Sequence, residues 1–247
     1  MIFPSFDALA VCALAIALSG MVRGFSGFGF ALIAVPGMAL VIDPRASVSV
    51  AMALQTFAGV VMLRRGWREA DWPLVGVLSA GSLATLWLGL LLLDRIDPAS
   101  LRVLIGATVL VAAAAIGMGV KLARPPGPWI GLGVGAASGL LNGMTGMGGP
   151  PAIVALLGSP FPPERTRATL GAFFTVLGGT TVAGASMFGR FGGGEAGLAL
   201  ILLPPLITAT ILGEELFRRG GGRRYRPLCL GVVCLIALAA IVDGVSH

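Results

Sequence analysis

A glycine-rich motif occurs twice in this chain, and its repetition constrains the fold more than any other feature. Residues 19–29 read SGMVRGFSGFG and residues 138–148 read SGLLNGMTGMG, an offset of 119 positions without a gap. The glycines of the two copies coincide, Ser19 coincides with Ser138, and Ser26 is replaced by the chemically similar Thr145. Thr56 and Thr175 keep the same offset. Self-similarity of this kind indicates that the chain consists of two copies of one structural unit.

The composition places both units in a membrane. Apolar residues make up 56% of the chain, only 11% are charged, and the mean hydropathy is +0.95. A soluble domain carries about 25% charged residues, and disorder requires few apolar residues. The apolar segments are too long, and too free of alternation, for a transmembrane barrel. We therefore expect an all-α polytopic membrane protein, and such an apolar chain is not expected to bind nucleic acid.

The same reading predicts the domain organisation. The first repeat covers residues 1–120, with a short helical hairpin at 8–42 and transmembrane spans at 46–63, 72–93 and 101–120. Residues 121–128 form a linker. The second repeat covers 129–247, with a hairpin at 129–158 and spans at 168–188, 195–213 and 228–244. As helices, residues 8–22 and 31–42 would be roughly 22 and 18 Å long, too short for a hydrocarbon core of about 30 Å.

Each short pair of helices either crosses the membrane once as a broken helix or enters and leaves on one side as a re-entrant hairpin. Basic residues concentrate in cytoplasmic loops, so their distribution distinguishes the two topologies. The hairpin topology places 12 basic residues on one side of the membrane and 4 on the other, whereas the single crossing places 10 on one side and 6 on the other. The hairpin topology is therefore favoured, with both termini outside and the basic loops in the cytoplasm of a bacterial inner-membrane protein.

Three spans separate the two hairpins, so the second hairpin would enter from the opposite face. The repeats would then be inverted, as in many secondary transporters, and two glycine-rich tips would meet near the membrane midplane. Glycines at a helix break expose backbone N–H groups, and a helix N-terminus carries positive partial charge. Two such termini would bind an anion without a formal charge. For Gly131 and Gly135 we favour a structural role instead of anion binding, because their spacing is typical of close helix packing.

Arg23 is the formal charge inside the first motif, and Asn142 is its counterpart in the second. An arginine at membrane depth is costly and usually functional, and its guanidinium suits a bidentate oxyanion. The alternative is that Arg23 reaches the interface or binds carbonyls freed by the helix break. Gln55 and Thr56 lie within an apolar span, where they would either line the same cavity or bond between helices.

The remaining ionisable residues favour an anionic substrate and argue against catalysis. No Asp or Glu lies in the middle of a predicted span, and the sole histidine is His247, the last residue. We therefore expect no metal, no cofactor and no enzymatic activity, since membrane-embedded catalysis generally needs clustered His, Asp or Glu. Glu214 and Glu215 end a span beside Arg218 and Arg219, where we expect a solvated interfacial cluster.

The two motif regions, GFSGFGFALIAVP and GLLNGMTGMGGPPAIVALL, resemble the signature regions of the TauE/SafE family of membrane permeases. The resemblance covers essentially the whole chain. It implies export of a small anion such as sulfite or an organosulfonate. The motif residues that it carries over are Gly24, Ser26, Gly27, Gly29, Asn142, Gly143, Thr145, Gly146, Gly148 and Pro150, and all of them except Pro150 are predicted to bind the substrate.

We therefore predict a secondary transporter, by expectation an exporter, that binds a small anion between the hairpin tips. To the motif positions we add Arg23, Gln55, Thr56 and Thr175 as substrate-binding residues. An anion channel on the same scaffold is the alternative, and a scaffold subunit is a weaker one. The sequence leaves open the identity of the anion, the direction of transport, coupling to a proton or sodium ion, and the oligomeric state.

Overall fold

A computed structural model describes residues 5–93, 95–97, 122–189 and 191–221, with positions 100, 103, 104, 107, 108 and 114 between them. Within these ranges every regular element is a helix. The elements are α1 Phe6–Ser26, α2 Phe30–Ala39, α3 Pro44–Gly66, α4 Trp72–Leu93, α5 Pro128–Thr145, α6 Gly149–Gly158, α7 Pro163–Met187 and α8 Gly193–Leu216, and a π-helical turn, Phe217–Gly221, extends α8. The spans predicted at 101–120 and 228–244 lie largely or wholly outside the described residues.

Four of the described helices are long and apolar enough to cross a membrane. They are α1, α4, α7 and α8, the last counted through Arg219. The helices α2 and α6 are apolar but have only 10 residues each. The first helix is longer than we expected, since its 21 residues extend about 31 Å at the usual rise per residue. The segment is predicted to end at Val22, but the helix continues to Ser26, because the left-handed residue that ends it is Gly27.

Each motif forms the sharp turn of a helical hairpin. Helix α1 ends where Gly27 adopts a left-handed conformation (φ 83°) and donates its N–H to the Arg23 carbonyl. Helix α5 ends in the same way at Gly146 (φ 70°), whose N–H bonds the Asn142 carbonyl. Only glycine adopts this conformation without strain, which explains its place in both copies. The first turn joins Ser26 to Phe30 and the second joins Thr145 to Gly149, so the two turns are separated by the same 119 positions as the motif copies.

Helices of each half pack mainly against helices of the other half. Helix α4 of the first half packs most extensively against α5 of the second, and α1 packs in the corresponding way against α8. Glycines allow these close approaches. A methyl group built on Gly139 would overlap the backbone of Ser82, and one built on Gly24 would overlap the backbone of Thr210. Helix α3 packs against α7 between these pairs.

Three contacts join segments that precede or follow the hairpins. The N–H of Leu122, in the irregular segment 122–127, bonds the carbonyl of Gly158 at the end of α6 with an N···O distance of 2.8 Å. Asp71, just before α4, forms an ion pair with Arg165 of α7, at 2.7 Å between Nη2 and Oδ2. After the first hairpin, Arg45 at the start of α3 donates through Nη2 to the carbonyl of Ile96 at 2.7 Å.

Candidate substrate-binding site

A small cavity lies between the two hairpin turns. Helices α3 and α7 also contribute to its wall. The lining residues are Gly29, Ala31, Leu32, Gln55, Asn142, Gly146, Met147, Gly148, Gly149, Ile153 and Phe174. Five of the residues that we predicted as substrate-binding therefore surround one space: Gly29, Gln55, Asn142, Gly146 and Gly148.

Two helix N-termini border this cavity, and they differ in their hydrogen-bond donors. Helix α2 begins after Gly29, which is left-handed (φ 85°) and gives no side-chain cap, so its first-turn N–H groups lack intrahelical acceptors. Helix α6 likewise has no side-chain cap, but Pro150 and Pro151 remove two of its first N–H donors. The α2 end therefore supplies more donors, and the α6 end supplies mainly its dipole.

Two amide side chains add polar groups to the wall. Gln55 of α3 is 4% exposed and donates through Nε2 to the carbonyl of Phe174 on α7 at 3.3 Å. Both readings of Gln55 thus hold, because it bonds between helices and lines the cavity. Asn142 donates through Nδ2 to Thr181 at 2.6 Å and accepts through Oδ1 from the N–H of Gly148 at 3.1 Å.

Five other predicted residues of the motifs do not line the cavity, and each has an observed role in the hairpins. The hydroxyl of Ser26 donates to the Val22 carbonyl at 2.8 Å and accepts from the Phe28 N–H. Thr145 bonds the Leu141 carbonyl and the Met147 N–H in the same way. Gly24, Gly27 and Gly143 lie where a side chain would collide with a neighbouring helix.

Thr56 and Thr175 lie where α3 crosses α7, outside the cavity lining. Each hydroxyl donates to a carbonyl one turn earlier, that of Met52 and that of Gly171. Each also faces a glycine of the opposite helix. A methyl group on Gly178 would come within 2.7 Å of the Thr56 oxygen, and one on Gly59 would overlap the Thr175 oxygen. The matched threonines thus occupy equivalent positions on the two sides of one crossing.

Arg23 is enclosed by protein but does not line the cavity. Its side chain is 0% exposed, so it does not reach the interface. Among the described residues, none of its Nε, Nη1 and Nη2 atoms has a hydrogen-bond partner, so it does not bind freed carbonyls either. Its Nη2 approaches α3, within 2.8 Å of the position that a methyl group on Gly59 would take. The described structure therefore supports neither an Arg23 that reaches the interface nor one that binds freed carbonyls.

The expectation of one solvated acidic cluster at the end of α8 is half wrong. Glu215 does form exposed ion pairs with Arg218 and Arg219, at 3.5 and 2.8 Å. Glu214 instead is 4% exposed and pairs with Arg167 of α7 at 3.6 Å. Adjacent residues on a helix point about 100° apart, so the two carboxylates face different surroundings.

Arg167 and Phe174 are residues of this region that we did not predict. Arg167 donates to the Gly24 carbonyl from Nη2 at 2.6 Å, and its guanidinium lies 4.7 Å from the centre of the Phe217 ring. These contacts join the start of α7 to the end of α1 and to the π-helical turn that extends α8. Phe174 is the counterpart of Gln55 at the motif offset, which was the available signal that it would share the cavity wall.

The chain is thus a polytopic helical membrane protein with a cavity enclosed by two glycine-turned hairpins. It belongs to the sulfite exporter TauE/SafE family, whose family model matches residues 12–240. It is also similar to a probable sulfite/organosulfonate exporter TauE of Cupriavidus necator, with 27% identity over 228 residues that cover 90% of this chain and 89% of the relative. No solved structure matches it.

Proposed function

We propose that this protein is a secondary transporter that exports sulfite or a small organosulfonate through the inner membrane, and that the anion binds in the cavity between the hairpin turns. The observation that carries the proposal is that two helix N-termini border the same small cavity. Uncapped N–H groups from α2, the dipoles of α2 and α6 and the amides of Gln55 and Asn142 would stabilise a negative charge there. Family membership and the name of the relative support the substrate class.

We propose further that the two halves are inverted repeats of re-entrant hairpins. If each pair of short helices crossed the membrane once, Leu122 and Gly158 would lie on opposite faces of the membrane. Asp71 and Arg165 would also lie on opposite faces. The hydrogen bond and the ion pair between these partners favour the hairpin topology instead. The exchanged packing of α4 with α5 and of α1 with α8 is also what a pseudo-two-fold axis would give. Alternating access would then rock one repeat against the other.

The transport proposal is tested by flux into and out of liposomes that contain the purified chain. Ala31 is buried in the cavity wall, so Ala31→Phe should fill the cavity without changing any charge and reduce sulfite flux by about tenfold or more. Ala80→Phe, at an exposed position on α4, is the matched control and should transport like the wild type.

A second variant covers the case in which Ala31→Phe does not fold. Gln55→Met keeps the size and flexibility of the side chain and removes its polar atoms, so it should weaken sulfite binding while the helices remain intact. Wild-type flux in both folded variants would contradict the cavity as the substrate site. Saturable flux is expected of the transporter, whereas single-channel currents would favour the anion channel instead.

A further inference from the structure

The guanidinium of Arg23 is the unexplained charge of the described structure. It is completely buried, and its three nitrogens lack hydrogen-bond partners among the described residues. Burial of an unpaired charge costs several kcal/mol even after relaxation, so such groups normally face a counter-ion. The cavity does not supply one, because Arg23 is absent from its lining.

The surroundings of Arg23 are small and polar on the side of the α3–α7 crossing. The position of a methyl group on Gly59 would overlap the Thr175 oxygen and lie 2.8 Å from Arg23 Nη2, so these two atoms are close neighbours. The Thr175 hydroxyl bonds the Gly171 carbonyl within its own helix and can turn its proton toward another acceptor. The Nη2 atom of Arg23 and the hydroxyl of Thr175 thus lie beside the same residue of α3, Gly59.

No carboxylate of the described residues bonds Arg23. The neighbouring charge that acts on it is another guanidinium, that of Arg167, which binds the Gly24 carbonyl and pairs with Glu214. Arg23 carries one positive charge, which one monovalent anion would balance.

The second repeat has no equivalent charge cluster. At the motif offset, Asn142 takes the place of Arg23, and Val48 takes that of Arg167. Asn142 is a neutral amide that bonds Thr181 and Gly148, and Val48 packs against Gly146 as Arg167 packs against Gly27. The need for a counter-ion therefore arises in one half of the molecule, so a requirement of the hairpin fold does not account for it.

We propose that Arg23, with the hydroxyl of Thr175, forms a second anion site that takes one monovalent oxyanion such as a sulfonate or hydrogen sulfite. The site is separate from the cavity, and the guanidinium supplies paired N–H donors to two oxygens of the anion. Binding at Arg23 stands on the buried charge alone and does not depend on transport through the cavity.

The test compares methanesulfonate, a monovalent oxyanion, with sulfate, a divalent one, at constant ionic strength. We expect methanesulfonate to raise the unfolding temperature of the purified wild-type chain more than sulfate does. In a chain whose cavity is weakened by Gln55→Met, adding Arg23→Met should weaken the remaining binding of methanesulfonate by about tenfold or more. Without added oxyanion, Arg23→Met alone should unfold at a higher temperature than the wild type, because it removes an unpaired buried charge. Arg165→Met, at an exposed arginine of α7, is the matched control and should respond like the wild type.

The outcomes separate this site from the cavity. Gln55→Met should retain the response that depends on Arg23, even if the cavity proposal fails. A lower unfolding temperature for Arg23→Met in the absence of oxyanion, with unchanged affinity for methanesulfonate, would overturn the second site. It would leave the cavity proposal to the flux measurements.

Discussion

At the scale of single residues, the two motif copies share the left-handed turn residue but differ two positions later, where Gly29 has φ 85° and Gly148 has φ -69°. Gly27 and Gly146 are both left-handed turn residues, and Ser26 and Thr145 make the same local hydrogen bonds. Their side chains and conformations follow from the turn itself. Arg23 and Asn142 differ because their partners come from other helices, so the repeat predicts their position but not their role.

Gly59 leaves room for the side chain of Arg23, whose Nη2 lies 2.8 Å from the position that a methyl group on Gly59 would take. Gly59→Ala should destabilise the protein by about 1–3 kcal/mol, because the added methyl group would overlap the Thr175 oxygen and press on Arg23. Gly76→Ala, where nothing lies within 4 Å of the added methyl group, is the control and should be neutral or slightly stabilising. Thermal or denaturant unfolding in detergent measures both.

The same measurement on a double variant identifies the cause. Thr175→Ala removes the overlapping oxygen, so Gly59→Ala combined with Thr175→Ala should recover part of the lost stability. Equal losses for Gly59→Ala and Gly76→Ala would mean that the α3–α7 crossing is looser than the contacts indicate.

At the scale of helices, glycine spacing separates packing faces from exposed ones. On α5, Gly135, Gly139 and Gly143 lie against the backbone of α4, whereas Gly133 faces open space. The packing interpretation of Gly135 is thus confirmed, and Gly131 meets the Val77 side chain in the same interface. Small residues let two backbones approach closely, which lets α4 and α5 pack against each other over most of their length.

Two substitutions on one helix test this interface. Gly139→Ala should weaken the packing of α5 on α4 and lower the unfolding temperature, because its methyl group would overlap the Ser82 backbone. Gly133→Ala should leave the unfolding temperature unchanged or raise it, since alanine stabilises a helix by about 0.5–1 kcal/mol relative to glycine. A similar effect of both would show that helix propensity alone decides the outcome.

At the scale of the whole molecule, the contacts between the halves bear on the topology. The Asp71–Arg165 pair brings the start of α4 and the start of α7 to one face. Arg167 joins α7 to the end of α1 and to Glu214 of α8. These contacts tie together segments far apart in the chain, and they favour the same arrangement as the distribution of basic loops.

Labelling of single cysteines in intact cells measures the topology. In a chain with the native cysteines replaced, Glu69→Cys and Glu164→Cys should be protected from an impermeant thiol reagent, because both would face the cytoplasm. Ser100→Cys and Gly192→Cys should be labelled, because both would face the outside. All four positions are exposed in the structure. Opposite labelling of Glu69→Cys and Glu164→Cys would contradict the re-entrant hairpin topology.

The sequence by itself determined the class of protein and the family, and it predicted several residues that line the cavity. Composition and motif repetition act locally, since a left-handed glycine ends a helix wherever it lies and apolar segments of sufficient length require lipid. Those signals correctly placed Gly29, Gln55, Asn142, Gly146 and Gly148 near one another, although nothing in the sequence specified which motif residues would only support the turn.

Only the tertiary structure decided which side chains meet across helices. It separated Arg23 from the cavity, paired Glu214 with Arg167 instead of leaving it in solvent, and put Phe174 opposite Gln55. Such contacts join residues on different helices, up to 119 positions apart, and helix packing rather than local spacing brings them together.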